Sequence, residues 1–222
     1  PIIWYYIASC EYQIYNYKKA LIAINKAFEF RDDSTIRTMK ASILTEYGQD
    51  SKDASLLELA MEEYNFLLND EPTSVTFYNY ANCLKALEKF TEAIIFYNKS
   101  IDLNPNDEKV WKNLGSSYHE IENYEKEMQC YDNALTLNPN LTEALFSKGV
   151  TLFKVFNKPE LALELVLKSI EIDKEKNFEL NFVYTYFWVA EIYLALDDFE
   201  NAKYYNKAGL NIEPSDNYFL NQ

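Results

Sequence analysis

Residues 74–106, SVTFYNYANCLKALEKFTEAIIFYNKSIDLNPN, and residues 108–140, EKVWKNLGSSYHEIENYEKEMQCYDNALTLNPN, align without a gap when the chain is shifted by thirty-four residues. Both stretches carry a large aromatic at the fourth place (Phe77, Trp111) and a small residue at the eighth (Ala81, Gly115). Both then carry tyrosine at the twenty-fourth (Tyr97, Tyr131), a small residue at the twenty-seventh (Ser100, Ala134) and proline at the thirty-second (Pro105, Pro139). The register extends to six units over nearly the whole chain, at approximately 1–33, 34–73, 74–107, 108–141, 142–176 and 183–216. The eighth place is small in all of them, as Ala8, Ala41, Ala81, Gly115, Gly149 and Ala190. A small residue early in the second half of the unit holds as Ala20, Ala60, Ala93, Ala162 and Ala202, whereas Glu127 breaks it.

Helix geometry explains such a pattern. Two antiparallel helices joined by a short turn approach closely only where small side chains sit at their crossing, with large apolar groups filling the wedges on either side. Gly115 is therefore expected to face a partner helix near Tyr131 and Ala134, with Trp111, Leu114 and Tyr118 packed around it. Where the closing proline is present it ends the second helix, because its ring lacks an amide donor and disfavours a helical predecessor. A single unit cannot bury both its faces, so neighbours must stack. Only 4 glycines and 6 prolines interrupt the 222 residues, which agrees with an all-α chain.

The pattern resembles the tetratricopeptide repeat family. That resemblance implies a right-handed α-solenoid, a superhelix of six helix-turn-helix repeats forming one array over residues 1–222. Two units depart from the period. The second carries about seven extra residues around Tyr47 to Ser55, expected as a longer inter-helix loop, and has Arg37 where the aromatic should stand. The fifth has Lys174 in place of its closing proline, and the following NFELNF, residues 177–182, is expected to lengthen the next helix. The last unit has Asn206 and Gly209 at aromatic and small places and is followed by SDNYFLNQ, which predicts an uncapped end open to self-association.

Composition narrows the function classes. A formal charge of −14 opposes a phosphate backbone, so nucleic acid is not an expected partner. Cys10, Cys83 and Cys130 form neither a CxxC pair nor an even framework, and read as reduced, half-buried apolar side chains of a cytoplasmic protein. No apolar run is long enough for a membrane span. The sequons at Asn98 and Asn140 are of a kind that arises by chance in an asparagine-rich chain. His119 is the lone histidine and belongs to no HExxH pattern, and neither a GxSxG elbow nor a Walker loop occurs. The neighbours Glu62 and Glu63, or Asp197 and Asp198, point apart on a helix. The expectation is a protein without catalytic residues, metal or cofactor.

In the resembled family, the first helices of successive units line a concave surface where peptides lie. With the packing places committed, helical spacing turns the second, fifth, sixth, ninth, twelfth and thirteenth places toward that groove. These supply Tyr5, Tyr6 and Tyr12, then Tyr78, Asn79 and Asn82, then Lys109, Lys112, Asn113 and His119, with Ser116 beside them. Glu143, Phe146 and Phe153, then Phe187, Trp188 and Glu191, complete the strip. Asn79 and Asn113 occupy equivalent places one repeat apart and are expected to grip a peptide backbone, and to be exchangeable for alanine without loss of stability. This looks like the asparagine array of O-linked GlcNAc transferases, although Ser147 and Trp188 do not continue it. The family's dicarboxylate clamp is not matched, since Tyr78, Glu143 and Ser147 stand at its basic places and Glu143 reverses the charge. The sequence thus predicts a protein-interaction scaffold that binds an extended peptide or partner segment, the alternative being the recognition or regulatory domain of a larger enzyme.

Overall fold

Helix starts are written into the chain as capping residues. Asp33 Oδ1 accepts from the Ile36 amide at 2.9 Å, and Asp107 Oδ1 from the Lys109 amide at 3.0 Å. Thr73 and Thr76 form a reciprocal capping box. The computed structural model describes residues 2–70, 72–175 and 182–212, and among them are twelve helices and no strand. They are α1 (Ile2–Gln13), α2 (Tyr17–Phe30), α3 (Ser34–Ser51), α4 (Ala54–Leu68), α5 (Ser74–Ala86), α6 (Phe90–Leu103), α7 (Glu108–Glu120), α8 (Tyr124–Leu137), α9 (Thr142–Lys154), α10 (Pro159–Glu175), α11 (Phe182–Ala195) and α12 (Phe199–Ile212). The fold class is all-α, with two helices to each unit of the sequence register. SDNYFLNQ and most of NFELNF lie outside the described residues.

The chain divides into two compact units, Pro1–Glu122 and Asn123–Gln222. In the first, Ala8, Ala20, Ala23, Ile24, Ala27, Ile36 and Ile43 form a buried cluster where α1, α2 and α3 meet. In the second, Leu152, Ala162, Val166, Ile170, Tyr186, Val189 and Ile192 do the same for α9, α10 and α11. The small-residue logic is directly visible at Gly149. A Cβ built there would sit 2.6 Å from Val166 Cγ2 and 3.1 Å from the Ala162 carbonyl, so α9 and α10 approach as closely as they do only because that atom is missing. Gly115 and its neighbours Leu114 and Tyr118 are likewise buried, but Trp111 is only half-buried, its indole N–H donating to the Pro105 carbonyl at 2.8 Å.

One expectation is corrected. The segment around Tyr47–Ser55 is not a longer loop: its first part continues α3 to Ser51, and only Lys52 and Asp53 separate α3 from α4. No proline interrupts it, and Gly48, seven residues beyond Ala41 and so on the same face, provides a second crossing point. A Cβ on Gly48 would lie 2.8 Å from Leu57 Cγ of α4. Arg37, in turn, fills the aromatic place by another route. Its guanidinium lies over the rings of Phe66 and Phe28, at 3.9 and 4.8 Å, while Nη1 reaches Glu63 at 2.6 Å and Nε reaches Asp32 at 2.6 Å. A planar cation stacked on aromatics substitutes for a ring in the wedge. The Asp32 hydrogen bond is the main force raising the Arg37 pKa, against the opposing effect of burial.

The turn between the two helices of each repeat has one residue in the left-handed region: Tyr15, Lys52, Glu88, Glu122, Asn157 and Asp197, with φ between 52° and 59°. None is glycine, although this conformation costs an L-residue roughly 1 kcal/mol. The cysteines differ from expectation at one position. Cys10 is exposed, whereas Cys83 and Cys130 are buried, and burial pushes their thiols up to about 11 and about 12.

Candidate functional site

In the first unit α1, α3, α5 and α7 touch in sequence, so their outward places form one strip. Its centre is a closed hydrogen-bond network. Asn113 Nδ2 of α7 donates to the Tyr78 hydroxyl at 3.1 Å and to Asn82 Oδ1 at 2.9 Å, both on α5. The Tyr97 hydroxyl of α6 donates to the same Asn82 oxygen at 2.6 Å. Burial pushes the Tyr78 phenol up, with the Asn82 and Asn113 amides pulling the other way. Asn113 is only 8% exposed and Tyr97 is fully buried, so this network is part of the fold as much as of a surface.

Asn79 has the same place one repeat earlier but a different fate: it is half-buried, and its amide reaches only Ser42 Oγ, at 3.4 Å. The expectation that Asn79 and Asn113 can both be exchanged without cost is therefore corrected for Asn113, whose donors are committed to buried partners. Lys109 is exposed, and Lys112 and Ser116 are half-buried. Lys85, at the twelfth place of α5, completes the basic part of the strip and was missed, although its place in the register would have found it. Burial lowers the Lys85 pKa and the neighbouring Lys112 adds to that, while Glu120 opposes it.

The second unit presents α9 beside α11. Phe146 and Tyr184 lie 5.7 Å apart between ring centroids, Tyr184 and Trp188 6.1 Å, and Phe187 and Trp188 5.3 Å. Phe146, Phe153 and Phe187 also pack against the buried cluster, so these aromatics double as core. The Trp188 indole N–H is buried with no hydrogen-bond partner among the described residues, and Lys154 Nζ sits 5.1 Å from the indole ring centroid. Glu127, the residue that broke the small-residue pattern, is fully buried on α8 and accepts from Thr151 Oγ1 of α9 at 2.6 Å.

Beside the aromatics, a cavity of about 250 Å³ opens between α9, α10 and α11, with Glu143, Phe146, Ser147, Asp173 and Tyr184 in its lining. Asp173, in the last turn of α10, is 9% exposed. It stands on a second helix, outside the first-helix places assigned to the groove. The available signal was an acid in a closing helical turn, where the helix dipole disfavours negative charge. Among the described residues, no group of three or more His, Cys, Asp or Glu side chains could hold a metal ion, and no helix is long and apolar enough to cross a membrane.

Three family models described as tetratricopeptide repeat match residues 75–107, 96–129 and 183–216. The peroxisomal targeting signal receptor of Kluyveromyces lactis is 29% identical over 92 residues, which is 41% of this chain and 16% of the receptor. This chain thus matches only a minor part of that relative's length. Among solved structures, PilF of Pseudomonas aeruginosa has a TM-score of 0.79 at 16% identity, over 99% of this chain and 94% of PilF. YrrB, described as a TPR protein with an unusual peptide-binding site, has a TM-score of 0.64 at 21% identity, over 90% of this chain and 96% of YrrB. Both likenesses are of fold.

Proposed function

Because this chain is a tetratricopeptide repeat protein, we propose that it is a non-catalytic protein-interaction scaffold whose first helices hold an extended segment of a partner. The observation that carries this reading is the side-by-side packing of α1, α3, α5 and α7, which makes one strip of places that helical spacing leaves unused by the core. Tyr78, Asn79, Lys109, Lys112 and Ser116 are the polar contacts, with Asn82 and Asn113 holding Tyr78 in position and Lys85 adding positive charge. Phe146, Phe187 and Trp188 are the anchors of the second unit. YrrB, a peptide-binding protein of the same fold, supports the reading by analogy.

The test is affinity capture with mass spectrometry, using the wild-type chain and the double variant Asn79→Ala, Lys112→Glu. Proteins retained by the scaffold should fall at least tenfold on the variant, while helicity and melting temperature stay nearly unchanged. Equal capture by both chains would exclude the first-unit strip as the binding surface.

A further inference from the structure

The cavity of the second unit has a chemistry unlike that of the first unit's strip. Its volume is about 250 Å³, and two acids, two aromatic rings and several hydroxyls converge on it. Asp173 is only 9% exposed, lines the cavity, and makes no hydrogen bond or ion pair with another of the described residues. A carboxylate largely withdrawn from water without a partner is costly, and is ordinarily found with a cation or donor beside it. Phe146 and Tyr184, 5.7 Å apart and inclined at 58°, present ring faces and edges at the same cavity, and ring faces attract cations. Glu143, Phe146 and Ser147 lie three and four residues apart on α9 and so share the face that closes the cavity.

We propose that this cavity is a subsite for a basic side chain, arginine above all, carried by the extended partner segment. The proposal rests on the scaffold reading and specifies the chemistry it selects in the second unit. A guanidinium is planar, stacks on an aromatic ring, and forks two N–H groups onto one carboxylate, here Asp173. Its remaining donors meet the Ser147 and Thr142 hydroxyls, and Glu143, exposed at the rim, adds attraction on approach. The net charge of −14 favours a basic ligand over an acidic one across the whole molecule.

The probes are N-acetyl-arginine amide and its uncharged urea counterpart, N-acetyl-citrulline amide, observed by saturation-transfer NMR on the full chain. Wild type should give at least a fivefold stronger response to the arginine probe. Asp173→Asn should abolish that preference while melting no lower than wild type, because the exchange removes an unpartnered charge and keeps the shape. Glu171→Gln, an exposed acid on the same helix, is the matched charge control and should leave the preference intact. A seven-residue glycine–serine peptide with one central arginine should bind at least as well as the amide. Equal responses to both probes, a preference that survives Asp173→Asn, or exclusion of the peptide would each overturn the proposal. Partner capture by a chain without arginine preference would overturn it too, and would leave the scaffold reading standing.

Discussion

The α5–α7 face of the first unit and the α9–α11 face of the second occupy the same places of the repeat, yet they treat polar side chains in opposite ways. On the first, Asn113, Asn82, Tyr78 and Tyr97 spend their hydrogen-bonding capacity on one another, across three different helices. On the second, the Asp173 carboxylate and the Thr142 and Ser147 hydroxyls face a cavity. A repeat register decides which way a side chain points. Whether it is then consumed by the fold or left for a ligand depends on what the adjacent helix brings opposite it.

This contrast can be broken most severely at Asn82. Replacing Asn82 with alanine leaves the buried Tyr97 hydroxyl and one Asn113 donor without acceptors, and should cost about 2 to 4 kcal/mol in urea unfolding. Asn113→Ala removes a donor pair but leaves fewer orphans, so about 1 to 2 kcal/mol is expected by the same measurement. Asp173→Asn should do the reverse on the second face, holding or slightly raising the melting temperature at neutral pH. An Asp173→Asn chain destabilised as much as Asn82→Ala would mean that the two faces are alike after all.

Thiol labelling compares the units without mutation. A raised pKa disfavours the thiolate, so at pH 8 native Cys83 and Cys130 should resist iodoacetamide while exposed Cys10 reacts, and all three should react in denaturant. Slow labelling of Cys83 and Cys130 then times the local opening of the first and second units separately. The smallest expected effect is at a turn: Glu88→Gly should stabilise by about 0.5 kcal/mol, relief of the left-handed conformation slightly exceeding the entropy added to the unfolded chain.

What could be read from the sequence follows the same division. The hairpins, their order and their small-residue crossings were legible because they depend on residues three to eight places apart within a helix, as Ala41 and Gly149 illustrate. The extension of α3 was not, because nothing in YGQDS forbids a helix and the deciding contact, Gly48 against Leu57, lies across the turn. Arg37 was visible only as a missing aromatic, since its stacking on Phe66 and pairing with Glu63 come from the next helix. At the candidate site, Asn79 and Asn113 look equivalent by position. Only the neighbouring helix separates them, with Ser42 beside one and Tyr78 and Asn82 beside the other.

The six left-handed turn residues make the chain a balance for testing whether small effects add. Each turn has the same backbone state and its own pair of helices, and five kinds of side chain are represented among the six. One edit can therefore be placed once, twice or six times in a single molecule, at sites far enough apart that their free energies should sum. A melting temperature that rises in equal steps would describe six hairpins unfolding as one body. A rise that stalls after the edits in one half would locate a boundary where cooperativity ends.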